Sequence, residues 1–173
     1  MSEVAFAGFV AVTTSREASF AAFYAKNIGT LARTLTASLG DAEVAQDAAQ
    51  EAMARACERW EKIERYDNPM GWCYRVATNW ATSRWRKRKR EVITDRLPTP
   101  DPVVAPDFAV QDRLLEALRS LSTDQRSVIV LRLVEDWSIA ETAEALGVAP
   151  GTVQSRYARA LARLRTELGD FHD

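Results

Sequence analysis

Four prolines, Pro98, Pro100, Pro102 and Pro106, crowd the stretch EVITDRLPTPDPVVAPDFAVQD, residues 91 to 112. Each removes a backbone N–H and turns the residue before it away from the helical region. No helix or sheet interior accommodates such a run, so the chain is cut in two there. The stretch also holds five acids and one base. It reads as an extended, acidic, semi-stiff linker. The 173 residues must therefore fold on either side of it, which suits two small domains.

Both sides carry helical periodicity and neither alternates as a strand would. TSRE, Thr14 to Glu17, has the pattern of a capping box that starts a helix. Phe20, Tyr24, Leu31, Leu35 and Leu39 then recur at helical spacing until Gly40. Asp41 caps a second helix with Val44, Ala48, Ala52, Ala56 and Trp60 four apart. Asn68 and Pro69 fit the N-cap and first turn of a third, which carries Trp72, Val76 and Trp80. Beyond the linker, STDQ and SIAE are two more capping boxes, and Pro150 opens a last helix reaching about Leu168. The fold class is all-α: two small helical domains joined by a Pro-rich linker. The expected divisions are an N-terminal tail or added helix at 1 to 14, a helical domain at 15 to 90, the linker at 91 to 112, and a second domain at 113 to 173.

The formal net charge of −1 hides a segregation. Residues 41 to 67 carry eight acids and four bases, whereas residues 68 to 90 carry seven bases and no acid. Residues 150 to 166 carry four arginines and no acid. Two basic stretches parted by acidic ones point to two places on one polyanion.

The sharpest motif is IAETAEALGVAPGTVQSRYA, residues 139 to 158. A short helix, a turn at Gly147 and a second helix make a helix-turn-helix, with Ala143 small where the helices approach. Gly147 can adopt the positive φ the turn needs. The second helix offers Gln154, Ser155, Arg156 and Arg159, types that read base edges or hold phosphates. The bland alternative is a helical hairpin with a solvated basic face.

The other basic stretch interleaves Trp72, Tyr74, Trp80 and Trp85 with Arg75, Asn79 and Arg84, and runs on through Arg86, Lys87 and Arg88. Aromatic faces plus cations suit unstacked or single-stranded bases. A basic helix end also complements the helix dipole, and a run such as RKRKR can be an import signal or a solvated tail.

No catalytic constellation emerges. The single histidine, His172, stands at the C-terminus, and there is no phosphate loop or nucleophile elbow. Cys57 and Cys73 have no metal-ligand spacing, so neither a metal nor a cofactor is expected. Both read as reduced core thiols of a cytoplasmic protein. No apolar run is long enough for membrane insertion.

Taken in order, DAEVAQDAAQEAMARACERW, NPMGWCYRVATNWATSRWRKRKR, the Pro-rich linker and LEALRSLSTDQRSVIVLRLVEDWSIAETAEALGVAPGTVQSRYARALARLR resemble a bacterial RNA polymerase sigma factor. The likeness is to the small extracytoplasmic-function group and covers roughly residues 16 to 168. It implies a region 2-like domain on the polymerase clamp and the melted −10 element, and a region 4-like domain on the −35 element. By motif, Asp47, Gln50 and Glu51 match the polymerase-binding face. Arg65, Tyr66 and Asn68 match the loop that holds a flipped −10 base. Asn79 matches the family's asparagine on the −10 and melting helix, where Trp80 is larger than the family's usual residue and Arg75, Arg84, Arg86, Lys87 and Arg88 are further candidates. Gln154, Ser155, Ala158 and Arg159 match the −35 reading face, where Gln154 replaces a common Arg or Lys and Thr152 and Arg156 are further candidates. Thr142 stands where the family has an aliphatic residue, and Ala149 replaces its usual hydroxyl N-cap. The implied partners are core RNA polymerase, promoter DNA and an anti-sigma factor. The rival reading is a stand-alone helix-turn-helix regulator with a partner- or ligand-sensing N-terminal half.

Overall fold

The computed structural model describes residues 3 to 91 and 116 to 169, with side chains from residue 15 to 88 and from residue 116 onward. The expected linker therefore lies outside the described residues, except Glu91. Among the described residues the elements are α1 (Glu3–Leu39), α2 (Ala42–Glu58), α3 (Trp60–Ile63), α4 (Pro69–Glu91), α5 (116–120), α6 (Thr123–Ile129), a π-helical turn (Val130–Val134), α7 (Ile139–Leu146) and α8 (Pro150–Leu168), with no strand.

Local chemistry sets most of these boundaries. Asp41 Oδ1 accepts from Val44 N at 3.0 Å to cap α2, and Asn68 Oδ1 accepts from Gly71 N at 2.8 Å to cap α4. Ser122 and Gln125 close a reciprocal capping box on α6, as Ser138 and Glu141 do on α7. Two expected features differ. Thr14 does not begin a helix, because α1 runs through it. Trp60 does not continue α2, because Arg59 leaves helical geometry and α3 restarts there. Further along, α6 gives way at Val130 to the π-helical turn. The wider turn leaves Leu133 and Val134 exposed while Leu131 stays buried. Asp136, with φ of 53°, then turns the chain; aspartate tolerates this region better than most residues.

The first core forms between α1, α2 and α4. The alanines Ala45, Ala48, Ala49, Ala52 and Ala56 are buried and let α2 approach closely, while Leu31, Leu35 and Met53 fill the seam. Leu35→Ala would cost about 2–5 kcal/mol. Trp60 locks α3 beneath α1, edge-on to Phe20 at 5.4 Å and tilted against Phe23 at 4.6 Å. Its Nε1 donates to Ser19 Oγ at 3.0 Å. Cys73 is buried, and burial pushes its thiol up to about 12. Cys57 is exposed, contrary to the expectation of a core thiol, because the buried stripe of α2 passes through Ala49, Ala52, Met53 and Ala56 instead.

The second half has two smaller cores: Ala117, Leu121, Ile129, Ala160 and Leu164 between α5, α6 and α8, and Val128, Ala143 and Val153 beneath the helix-turn-helix. The two halves are also packed together. Leu131 and Ala145 are buried in the core cluster of the first half.

Candidate nucleic-acid interface

The helix-turn-helix is fixed from both ends. Ser138 Oγ accepts from Glu141 N at 3.1 Å, and Glu141 Oε2 accepts from Ser138 N at 2.8 Å. That hydroxyl, and then the backbone N–H, holds the Glu141 carboxyl below its ordinary range. Gly147, at φ 65°, ends α7, and Val148 N donates to Ala143 O at 3.0 Å. Ala149 starts α8 with no side-chain cap, and Pro150 supplies the preset φ of the first turn. Thr142 is fully buried, and its Oγ1 has no hydrogen-bond partner among the described residues.

On α8, Gln154, Ser155, Ala158 and Arg159 are all exposed and share one ridge, as spacings of one, four and five residues require. Arg159 leans back along that ridge, donating from Nε to Ser155 O at 3.2 Å and from Nη2 to Ser155 Oγ at 3.3 Å. Thr152 is half-buried at the start of the ridge. Arg156 lies off it: its Nη2 stands 2.5 Å from Asp124 Oδ2, in the first turn of α6. The structure thus brings together five of the six α8 candidates and ties the sixth to the scaffold.

In the first half, α2 presents Asp47 and Gln50 outward, with Glu51 half-buried. Each already has a neighbour. Gln50 Oε1 accepts from Tyr24 Oη at 3.2 Å, Glu51 pairs with Arg55 at 2.8 Å, and Asp47 pairs with Arg84 at 3.2 Å. In the loop before α4, Arg65 is exposed and Tyr66 half-buried against the core. Asn68 spends its carbonyl on capping α4, so the backbone already claims one of its recognition atoms.

Along α4, Arg75, Asn79, Arg86, Lys87 and Arg88 are exposed, and Trp80 and Arg84 are half-buried. The Arg84 guanidinium lies 5.1 Å from the Trp80 ring centroid, a cation–π distance. An open cleft of about 490 Å³ is lined by Trp80, Ser83, Arg84, Lys87 and Arg88. Its aromatic wall and cationic rim suit a base with its phosphate. Ser83 is the member that sequence reasoning missed; its place one turn beyond Asn79 was the available signal. The Asp47–Arg84 pair had no signal, since it joins two helices. Among the described residues no cluster of His, Cys, Asp and Glu is placed to hold a metal.

Residues 23–91 match the sequence profile of Sigma-70 region 2, and residues 111–164 that of Sigma-70, region 4. The chain is 46% identical over 126 residues to the RNA polymerase sigma-E factor of Streptomyces coelicolor, covering 72% of this chain and 71% of that one. It is 36% identical over 154 residues to the ECF RNA polymerase sigma factor SigL of Mycobacterium tuberculosis, covering 85% and 87%. Among solved structures it is similar to the sigma factor RpoE in complex with the anti-sigma factor NepR from Bartonella quintana. That match has a TM-score of 0.78 and 27% identity, over 89% of this chain and 99% of that chain. CnrH in complex with the cytosolic domain of CnrY, at TM-score 0.61 and 23% identity over 88% of each chain, shares the fold.

Proposed function

This chain belongs to the sigma-70 family, in the extracytoplasmic-function group of RNA polymerase sigma factors, and from that premise we propose how its surfaces divide the work. As a sigma factor it acts in promoter recognition and transcription initiation. Its partners are core RNA polymerase and promoter DNA. The relatives solved with anti-sigma factors support an anti-sigma partner as well. The ridge Gln154, Ser155, Ala158 and Arg159 reads the −35 element in the major groove, with Thr152 at its start. Arg156 braces α8 against α6 and adds charge near the backbone. Tyr66, with Arg65 and Asn68, receives a −10 base, and the Trp80–Arg84 cleft, with Asn79 and the basic end of α4, follows the opening strands. Asp47, Gln50 and Glu51 meet the polymerase.

The observation that carries this division is the exposure of two separate surfaces on opposite halves, an acidic α2 face and a polar-cationic α8 ridge. The rival reading, a stand-alone regulator with a sensing N-terminal half, is not favoured, because residues 23–91 match region 2. No helix among the described residues is long and apolar enough to cross a membrane. We place the protein with the polymerase in the cytoplasm. It contributes binding, and the chemistry of RNA synthesis is the polymerase's.

The test is competition for core polymerase. Asp47→Ala with Gln50→Ala removes two exposed side chains from a good helix former's surface, so helicity should hold. The double variant should compete at least several-fold less well. Unchanged competition by a folded double variant would overturn the polymerase assignment.

A further inference from the structure

Thr152, Arg156, Arg159 and Arg163 follow one another along α8 at spacings of four, three and four, so they form a row on one edge of the ridge. The three arginines are held differently. Arg159 turns to Ser155 on its own helix. Arg163 donates from Nε to Ser120 Oγ at 3.2 Å, with the Glu167 carboxylate at 4.0 Å. Arg156 Nη2 instead stands 2.5 Å from Asp124 Oδ2 of α6, with the Arg156 side chain 24% exposed and that of Asp124 64%. Among the described residues, Arg156 is the α8 arginine whose charge is met by a carboxylate from another helix.

That pair is not what joins the two helices. Ile129 of α6 already meets Ala160 and Leu164 of α8 in a buried core, and an ion pair this open to solvent adds little to stability. Nor does α6 need Asp124 as its cap, since Ser122 and Gln125 close the capping box. An acid in the first turn complements the helix dipole, but it does so without an arginine. The electrostatic consequence is larger. A helix with its side chains is about 10–12 Å across and the major groove about 12 Å wide, so the edges of a helix lying in it face phosphates. A free arginine at such an edge adds a phosphate contact, which strengthens binding to every sequence alike. A carboxylate in contact with that arginine competes for its N–H groups, cancels its charge at a distance and repels the phosphate.

We infer that Asp124 is a positioning residue that withholds Arg156 from the DNA backbone and so limits the affinity of α8 for DNA of any sequence. The inference rests on the proposed placing of the α8 ridge in the −35 groove. Non-promoter sites outnumber promoters in a genome by orders of magnitude, so one phosphate contact fewer releases the reader from them while the ridge keeps its base edges. The charge that Arg156 brings to the backbone is thereby set from α6.

The experiment is salt-dependent binding of the full chain, assembled with core polymerase, to two duplexes. One carries the −35 sequence that the wild type selects from a random library, and the other a scrambled version of it. Wild type stands beside Asp124→Asn, Asp124→Glu and Asp124→Asn combined with Arg156→Gln. Asp124→Asn should bind both duplexes more tightly, by up to about eightfold at 0.1 M salt, with a salt slope steeper by about 0.9 for one added contact. The ratio between the duplexes should not change. Asp124→Glu keeps the carboxylate and should match the wild type, and Arg156→Gln should cancel the gain. A merely structural role predicts weaker binding by Asp124→Asn at an unchanged slope, and that result overturns the inference. So does a gain that survives Arg156→Gln undiminished, since it would belong to the carboxylate's own repulsion. If the wild type selects no −35 sequence, the −35 reading fails and the inference with it. If it selects one and Asp124→Asn changes nothing, the reading stands and the inference alone fails.

Discussion

Helices α4 and α8 both turn cations outward, but they hold them with different neighbours. On α8, Arg159 rests on Ser155, one turn back on its own helix. On α4, Arg84 is held by Asp47 of α2, and Arg75 lies over Gly147 of the other half. A cation held by its own helix moves only with that helix. A cation held by another element can be released when that element moves. As the proposed reader, the α8 ridge is therefore preset, and the α4 surface has competitors for its charges.

The interiors differ as well, and pH is the strongest way to expose that. Cys73 and Tyr74, adjacent on α4, are both buried and both pushed upward by burial, Cys73 from 9.0 to about 12. Ser127 and Ser38 pull Tyr74 back only in part. The helix-turn-helix core of Val128, Ala143 and Val153 holds no such group. A raised folded pKa gives stability that is complete below the unfolded value and lost as pH rises toward the folded one. The first half should therefore weaken between pH 9 and 12, by roughly 1.4 kcal/mol per pH unit for each group inside its window. Circular dichroism with tyrosinate absorbance should show α4 and the seam failing before α7 and α8. Cys73→Ala should remove the part of the loss that begins near pH 9; an unchanged alkaline profile in that variant would assign the loss elsewhere.

The second effect tests whether α8 is the preset reader. Gln154 can pair with adenine through N6 and N7, while arginine prefers guanine. Gln154→Arg should change the preferred base at one −35 position, and Arg159→Ala should cost about 1–3 kcal/mol of promoter affinity. A promoter library giving the same base preferences for wild type and Gln154→Arg would remove Gln154 from the reading face.

These contrasts explain what was legible in the sequence. The α8 ridge could be read because helical periodicity alone decides which residues share a face. The caps at Asp41, Asn68, Ser122 and Ser138 could be read because their partners lie three residues away. The break at Arg59, the π-helical turn and the contacts of Arg75, Arg84 and Arg156 could not, since each depends on an element distant in sequence. Arg156 shows the limit well: its side chain looks like a DNA contact by type and spacing, yet Asp124 holds it.

Thr142 offers a smaller effect. Its buried hydroxyl has no partner among the described residues, and such a group costs about 1–3 kcal/mol when left unmade. Thr142→Val keeps the shape and removes the hydroxyl. It should stabilise the second half by about 1 kcal/mol in chemical denaturation, with the α8 ridge and its base preferences unchanged. A destabilised variant would mean that the hydroxyl is bonded in solution.

The smallest effect bears most directly on the contrast between the two helices. Asp47 and Arg84 are 3.2 Å apart and both partly exposed, so their pairing contributes below about 1 kcal/mol to stability. Asp47→Ala should hardly move the melting temperature. It should nevertheless act with opposite signs on two partners. Polymerase loses a contact on the α2 face and binds less tightly. DNA gains, because Arg84 no longer has a carboxylate competing with phosphate, and the negative charge beside the Trp80 cleft is gone. Binding of a forked −10 strand to the free chain should tighten by up to severalfold and depend more steeply on salt, by at most about 0.7–0.9 in slope for one added phosphate contact. Asp47→Ala combined with Arg84→Ala should cancel the gain. If Asp47→Ala weakens DNA and polymerase together, Asp47 positions Arg84 for the strand instead of withholding it, and α4 presents its cations as rigidly as α8 does.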